Sequence, residues 1–268
     1  MSHEFIVFLF TLSLFLGMLL FLEIGRRSSL RRLKEDAGAA GEGVGAVDGA
    51  VFALLGLLIA FTFSGASSRF DTRRQLIVEE TNHIGTAYLR IDLLPAEAQP
   101  ALRESFRRYL DARIEVYQKL PDIAAAKESL AKANGLQSQI WRQAVAASRA
   151  QGAPPAAPIL LLPALNAMID ITTTRTMATQ MHPPTVVFVM LFGLALAASL
   201  LAGFGMTGSR LRSWFHMLGF ALVMAIAIYV ILDIEYPRLG LIRVDAFDQA
   251  LIDLRESMNR DIQFQGQK

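Results

Sequence analysis

Four stretches of the chain, 5–22, 49–68, 183–209 and 213–232, are nearly free of charged residues. Each is long enough to cross a hydrocarbon layer about 30 Å thick as a helix, the first only just. Between the second and the third, residues 69–182 are polar enough for water and carry apolar positions three and four apart, the helical period. No strand-like alternation of any length, internal repeat or low-complexity tract interrupts the pattern. It predicts an all-α integral membrane protein with four transmembrane helices and a helical extramembrane domain inserted between spans two and three. The segments are then 1–68 (two spans and a basic connecting loop), 69–182 (the helical domain), 183–234 (two further spans) and 235–268 (a tail with a short amphipathic helix).

The rest is organised around 49–92. GAVFALLGLLIAFTFSGASS has no charge over 20 positions and runs without a turn signal into RFDTRRQLIVEETNHIGTAYLRIDLLP, where Pro95 stops it. This reads as one helix leaving the bilayer as a stalk. Phe63, Phe70, Ile77, Ile84 and Ile91 recur every seven residues, a seam most simply packed against copies of itself. Gly85 costs the helix about 1 kcal/mol relative to alanine. Small residues recur as Gly45, Gly49, Ala53, then Gly56, Ala60, Ser64 and Ser68, a spacing that suits close approach of another span or of another subunit. Asp48, at the membrane edge, is either solvated or part of a ring at a pore mouth.

A second face of the stalk carries Thr62, Ala66, Arg69, Arg73, Leu76, Glu80, His83, Ala87 and Arg90. Repeated about an axis, it would present rings of small, then basic, then acidic groups, with Phe61 and Phe63 as bulky apolar rings that gate by dewetting. The alternative is plainer: arginines after a span anchor it at the interface, and phenylalanines within it face lipid or core. Glu79 and Glu80 are adjacent and point about 100° apart, poor geometry for acid–base chemistry. Glu79 and His83, four apart, can pair.

After Pro95 a helix over 96–120 buries Leu102, Phe106, Leu110, Ile114 and Tyr117 and exposes Arg103, Glu104 and Arg107; Pro121 ends it. Another over 122–150 has Leu130, Ile140 and Trp141 on its apolar side and an interruption at Gly135. QGAPPAAP is a stiff linker. A helix over 159–181 starts at Pro163 and shows Asn166, Asp170, Thr173 and Thr174 on one face. Pro183 and Pro184 mark re-entry into the membrane. The third span has a close-packing stripe of Ala195, Ser199 and Gly203; the fourth opens on interfacial Trp214. In the tail, a short extended piece over 240–244 precedes a helix whose apolar side, Phe247, Leu251, Leu254 and Met258, docks on the chain's own domain.

Composition agrees: 53% of the 268 residues are hydrophobic and mean hydropathy is +0.38. A net charge of +2, from 26 basic and 24 acidic residues, gives no argument for nucleic acid. Without cysteine there is no disulfide, thiolate site or cysteine nucleophile, and His3, His83, His182 and His216 lack metal-ligand spacing. No catalytic motif is present, so neither enzyme chemistry nor a cofactor is expected. The first span reads as retained, since an acidic residue precedes it and Glu23, Arg26 and Arg27 close it. Arg26, Arg27, Arg31, Arg32 and Lys34, together with Arg210 and Arg212, place these connections in the cytoplasm. The N-terminus and the helical domain then lie outside, although Arg69, Arg73 and Arg74 pull the other way.

AFTFSGASSRFDTRRQLIVEETNHIGTAYLRIDLLP, then RRYLDAR (107–113), ALNAMID (164–170) and ILDIEYPRLGLIRV (231–244) resemble the bacterial bestrophin-like membrane family. That family is similar in plan to bestrophins, pentameric anion channels whose helical domain continues the second span. The resemblance implies a homo-oligomer in the bacterial inner membrane, pentameric or alternatively tetrameric, whose partners are lipid and inorganic ions. Phe61 and Phe63 would be similar in position to the apolar neck; in the channel reading Thr62 and Ser64 join them as pore or gate candidates, and Asp48, Arg69, Arg73, Glu79, Glu80 and His83 are the candidates for selectivity. Glu79 and Glu80 suit a cation path no worse than an anion path, so the sign of the ion stays open. The alternative function is a non-conducting scaffold or sensor, with Asn166, Asp170 and Thr173 as its contact face.

Overall fold

The computed structural model describes residues 3–35, 44–206 and 214–265. Arg210 and Arg212, the end of the stretch 183–209 and the Gly/Ala-rich loop before residue 44 lie outside them. The described residues form helices α1 (His3–Glu35), α2 (Val44–Leu89), α3 (Gln99–Gln118), α4 (Ile123–Ser148), α5 (Ala156–Ala178), α6 (Thr185–Gly205), α7 (Trp214–Glu235) and α8 (Asp245–Gln265). Two short 3-10 turns, Arg90–Leu93 and Ala96–Ala98, join α2 to α3. No strand occurs among the described residues. The protein is an all-α, multi-pass membrane protein with a helical extramembrane domain. Five helices, α1, α2, α5, α6 and α7, are long and apolar enough to cross a membrane. The hydrophobic pattern predicts four; α5 is the addition.

The chain divides into two compact units: Met1–Phe70 with His182–Ile242, and Asp71–Met181 with Arg243–Lys268. In the first, α1 packs on α6 and α7 around Met18, Leu22, Leu55, Leu191, Ala195, Ala198, Ala221 and Ile228. The small-residue stripe of α6 lies in this contact, with Ala195 and Ser199 fully buried. One glycine on each helix lies against the backbone of the other: a Cβ on Gly25 would strike the Leu200 carbonyl, and one on Gly203 would strike the Leu22 carbonyl. In lipid, helices associate by close packing rather than by expulsion of water, so this approach is the adhesive. Gly203→Leu is expected to separate α1 from α6 and to lower the melting temperature in detergent by several degrees, whereas Gly193→Leu, where a Cβ meets open space, should change little.

In the second unit, Ile84, Tyr88, Ile91, Phe106, Tyr109, Leu110, Ile140, Leu161, Leu165, Met168, Leu251 and Met258 make one core. α8 docks there through Leu251, Leu254 and Met258, as its amphipathic pattern suggests. α4 begins at Asp122, whose carboxylate accepts the Ala125 N–H at 3.0 Å, a standard N-cap. It runs through Gly135 without interruption; that glycine is exposed and has open space about it. α5 starts at Ala156 rather than at Pro163, which lies inside it. The proline has no N–H to bond back to the preceding turn; in that turn Arg90 adds a bond of its own, to the Leu160 carbonyl at 2.5 Å, which is not the carbonyl the proline leaves. Arg103 and Arg107 are buried rather than exposed, because α3 is covered by both α4 and α8. Arg103 lies over the Tyr88 ring, 4.9 Å from its centroid, and pairs with Asp92; Arg107 donates to Glu104 at 2.9 Å.

Candidate functional site

α2 is continuous for 46 residues, and no break falls where the apolar stretch ends. Its covered and uncovered faces differ from those read in the sequence. In the second unit the seam positions Ile77, Ile84 and Ile91 are buried within the protomer, packed against its own helices rather than left for copies of the chain. The face carrying Thr62, Ala66, Arg73, Leu76, Glu80 and Ala87 is buried too. Sequence spacing shows which residues share a face, but an amphipathic helix packed on its own chain hides its seam and the flank beside it. Among the exposed positions, Leu54, Leu57, Phe61, Ser64 and Ser68 share one face in the first unit. In the second, Asp71, Gln75, Glu79, Asn82 and Thr86 are exposed and again three and four apart, with exposed Thr72, Val78 and Leu89 off that line. Over its most apolar window α2 is only 11% buried, against 22%, 28% and 33% for α1, α6 and α7, so it is the span most in need of an external partner.

Phe61 and Phe63 are 67% and 44% exposed and Ser64 is exposed, whereas the Thr62 hydroxyl turns back onto the Leu58 and Ile59 carbonyls at 2.7 and 3.0 Å. Asp48 is half-buried, and its Oδ1 has no hydrogen-bond partner among the described residues. Gly49 and Gly56 meet nothing, so these members of the small-residue stripe are not used within the first unit. Glu79 is exposed, and among the described residues no ion pair joins it to His83. His83 instead lines, with Thr86, Arg90, Pro163, Ala164 and Ala167, a shallow cavity of about 190 Å³.

Two buried carboxylates hold α2, one in each unit. In the first, Glu235 at the end of α7 is fully buried and takes Arg69 of α2 in a bidentate pair, with the shortest N–O distance 2.7 Å. His182 meets the same carboxylate at 3.0 Å and stacks on Tyr236, with centroids 4.5 Å apart. Nearby, the Asp233 carboxylate accepts the Leu241 and Ile242 N–H groups at 2.9 and 2.7 Å. A Cβ on Gly240 would strike that carboxylate, so the turn closes only on glycine. What reads as an extended piece in the sequence is thus a turn wrapped on an acid.

In the second unit Glu80 is fully buried. Arg113 donates to it at 2.5 Å, and Arg175 binds its other oxygen. Arg175 also reaches Asp248 of α8 at 2.9 Å and lies 3.8 Å over the Tyr117 ring, while Arg113 donates to the Tyr117 hydroxyl at 2.6 Å. One carboxylate therefore ties α2 to α3, α5 and, through Arg175, α8. Burial by itself would raise the Glu80 carboxyl, but the charges of Arg113 and Arg175 outweigh it and hold it below the usual carboxylate value. Beside it Tyr109 is pushed up to about 12 by burial and by the Glu80 charge. Its hydroxyl shares hydrogen bonds with Thr172 at 3.1 Å and with the Gln137 amide at 3.1 Å. Arg73, also buried, donates to the Ala178 and Met181 carbonyls at 3.1 and 3.0 Å, capping the C-terminal end of α5.

Of the residues singled out in the sequence, then, Phe61, Phe63, Ser64 and Glu79 are at the surface of the protomer, and Thr62, Arg73 and Glu80 are inside it. Arg113, Arg175, His182 and Glu235 were not singled out. Among the described residues no group of three or more His, Asp or Glu side chains is placed to hold a metal ion.

The Bestrophin-like domain model matches residues 10–246. The chain belongs to the bestrophin-like family. No curated protein matches it. Among solved structures, this bestrophin-like chain is similar to two variants of a bacterial Bestrophin homolog from Klebsiella pneumoniae. One has TM-score 0.67 at 15% identity, covering 93% of this chain and 98% of the other. The second has TM-score 0.65 at 14% identity, covering 91% and 98%. At such identities the likeness is one of fold, and it extends over both units of the bestrophin-like chain.

Proposed function

We propose that the protein is one subunit of a homo-oligomeric ion channel of the bacterial inner membrane, with the conduction path along α2. The observation that carries this reading is the uncovered face of an unbroken helix: apolar at Leu54, Leu57 and Phe61, hydroxylic at Ser64 and Ser68, and polar beyond. Such a face, apolar and then hydroxylic, is suited to a path shared by sister helices. Phe61 narrows that path. Phe63, two residues on and so turned to another side, meets the neighbouring subunit or lipid, and Asp48 stands at the far mouth. Arg69, Arg73 and Glu80 serve as ties that hold the lining helix in place.

Four helices span, and α5 belongs to the extramembrane domain: Leu161, Leu165 and Met168 lie in that unit's core, and Arg175 carries a buried ion pair. The basic end of α1 puts the N-terminus and the helical domain outside the cytoplasm. Family resemblance favours five subunits over four.

Purified protein in detergent, viewed along the symmetry axis, is expected to show a ring of subunits about a hole. In planar bilayers it should conduct, and Phe61→Ala should raise the unitary conductance by widening the apolar constriction. A monomeric or dimeric particle without a hole overturns this reading. It would leave a scaffold whose exposed Asn166, Asp170 and Thr173 on α5 are the contact.

A further inference from the structure

We propose that this path selects cations and that Glu79 is the residue that sets the sign, an inference that rests on the channel reading above. On the extramembrane part of α2 the exposed positions Asp71, Gln75, Glu79, Asn82 and Thr86 form one stripe. It carries two carboxylates and no lysine or arginine. No arginine of the helix stands on this stripe, and each has a partner, Arg74 on a member of the stripe itself. Arg69 is committed to Glu235, and Arg73 to the Ala178 and Met181 carbonyls. Arg74 lies 4.3 Å over the Phe247 ring and pairs with Asp71 at 3.1 Å. Arg90, just past the helix, donates to the Leu160 carbonyl at 2.5 Å. Of the two acids Asp71 is therefore partly neutralised by its neighbour, whereas Glu79 makes no ion pair among the described residues.

Repeated about an axis, Glu79 becomes a ring of carboxylates flanked by the amide and hydroxyl oxygens of Gln75, Asn82 and Thr86. Such a ring lowers the potential of the vestibule and concentrates cations while excluding anions. An anion path would need the opposite arrangement, with arginines turned to the axis and acids held inside. Here it is Glu80 that is held inside, between two arginines, and Glu79 that is left out.

The test is the reversal potential of the purified full-length protein in planar bilayers under a KCl gradient. The wild type is expected to reverse near the potassium equilibrium potential. Glu79→Gln should move the reversal towards zero, with the potassium-to-chloride permeability ratio falling about fivefold, the scale of several carboxylates acting together under aqueous screening. Glu97→Gln removes an exposed acid outside α2 and should leave the ratio unchanged. Reversal near the chloride potential, or a Glu79→Gln protein indistinguishable from wild type, overturns cation selection while leaving conduction intact. Silence from folded, oligomeric protein overturns the channel reading and this inference with it.

Discussion

Glu80→Gln is expected to be the most destabilising single substitution in the extramembrane unit, at about 3–5 kcal/mol, the usual cost of breaking a buried ion pair by removing one partner. The reason lies less in what the carboxylate contributes than in what it leaves behind. Arg113 and Arg175 are both nearly inaccessible to water, at 1% and 4% side-chain exposure, and among the described residues Asp248 is the carboxylate left to balance them without Glu80. Thermal unfolding of the full chain in detergent should show the loss. Glu80→Gln combined with Arg113→Met should cost much less than the sum of the two single changes, because the double change removes a compensated pair. A Glu80→Gln protein within 1 kcal/mol of wild type would show that water or a neighbour already neutralises these arginines.

The same site gives the direction of the acid response. A carboxyl held below its usual value when folded stabilises fully above the unfolded pKa of about 4 and loses that contribution as pH falls through the depressed value. The melting temperature should therefore be insensitive to Glu80 from neutral pH down to about pH 5 and decline below about pH 4, a decline that Glu80→Gln makes shallower by removing this group's share. Tyr109 acts at the other end. Pushed up to about 12, it stabilises fully below its unfolded pKa of about 10 and loses that contribution as pH rises through its folded value.

The long apolar helices, α2 among them, were legible because lipid imposes a simple rule, that a charge-free run of sufficient length forms a helix able to cross it. What the pattern misassigned was direction. Ile77, Ile84 and Ile91 form a seam whichever surface covers them, and nothing in their spacing separates the chain's own α3 and α5 from a copy of α2. The buried charges were partly legible. Arg113 interrupts the apolar series Phe106, Leu110, Tyr117 at a position where the helical period calls for another apolar residue, and Glu80 stands likewise between Ile77 and Ile84. A charge in such a place has to find a partner inside, though the sequence cannot name it: Arg175 lies 95 residues from Glu80 and Glu235 lies 166 from Arg69. The apolar run of α5 is ambiguous on composition alone, because a core helix and a membrane span share the same composition and differ only in what surrounds them.

Glu235→Gln is expected to have the second largest effect, and one that reaches conduction. Of the candidate spans α2 is the least covered by its own chain, so a specific tie matters more to it than to α1 or α6, which hold each other through backbone contact at Gly25 and Gly203. Arg69 and Glu235 supply that tie close to the end of the apolar stretch, near Ser64 and Ser68. The carboxylate is fully buried, while Arg69 is 29% exposed and can be partly rehydrated when released. The cost should therefore be smaller than for Glu80, about 2–3 kcal/mol. Arg69→Lys keeps the charge but loses the two-pronged geometry, and should recover only part of the stability. If the lining helix depends on this pair, Glu235→Gln channels will open to poorly defined conductance levels, with ion selectivity set by Glu79 largely kept. Unitary conductance indistinguishable from wild type, in a protein whose melting temperature has fallen, would confine Glu235 to folding and leave the position of α2 to its packing at Leu55 and Ala66.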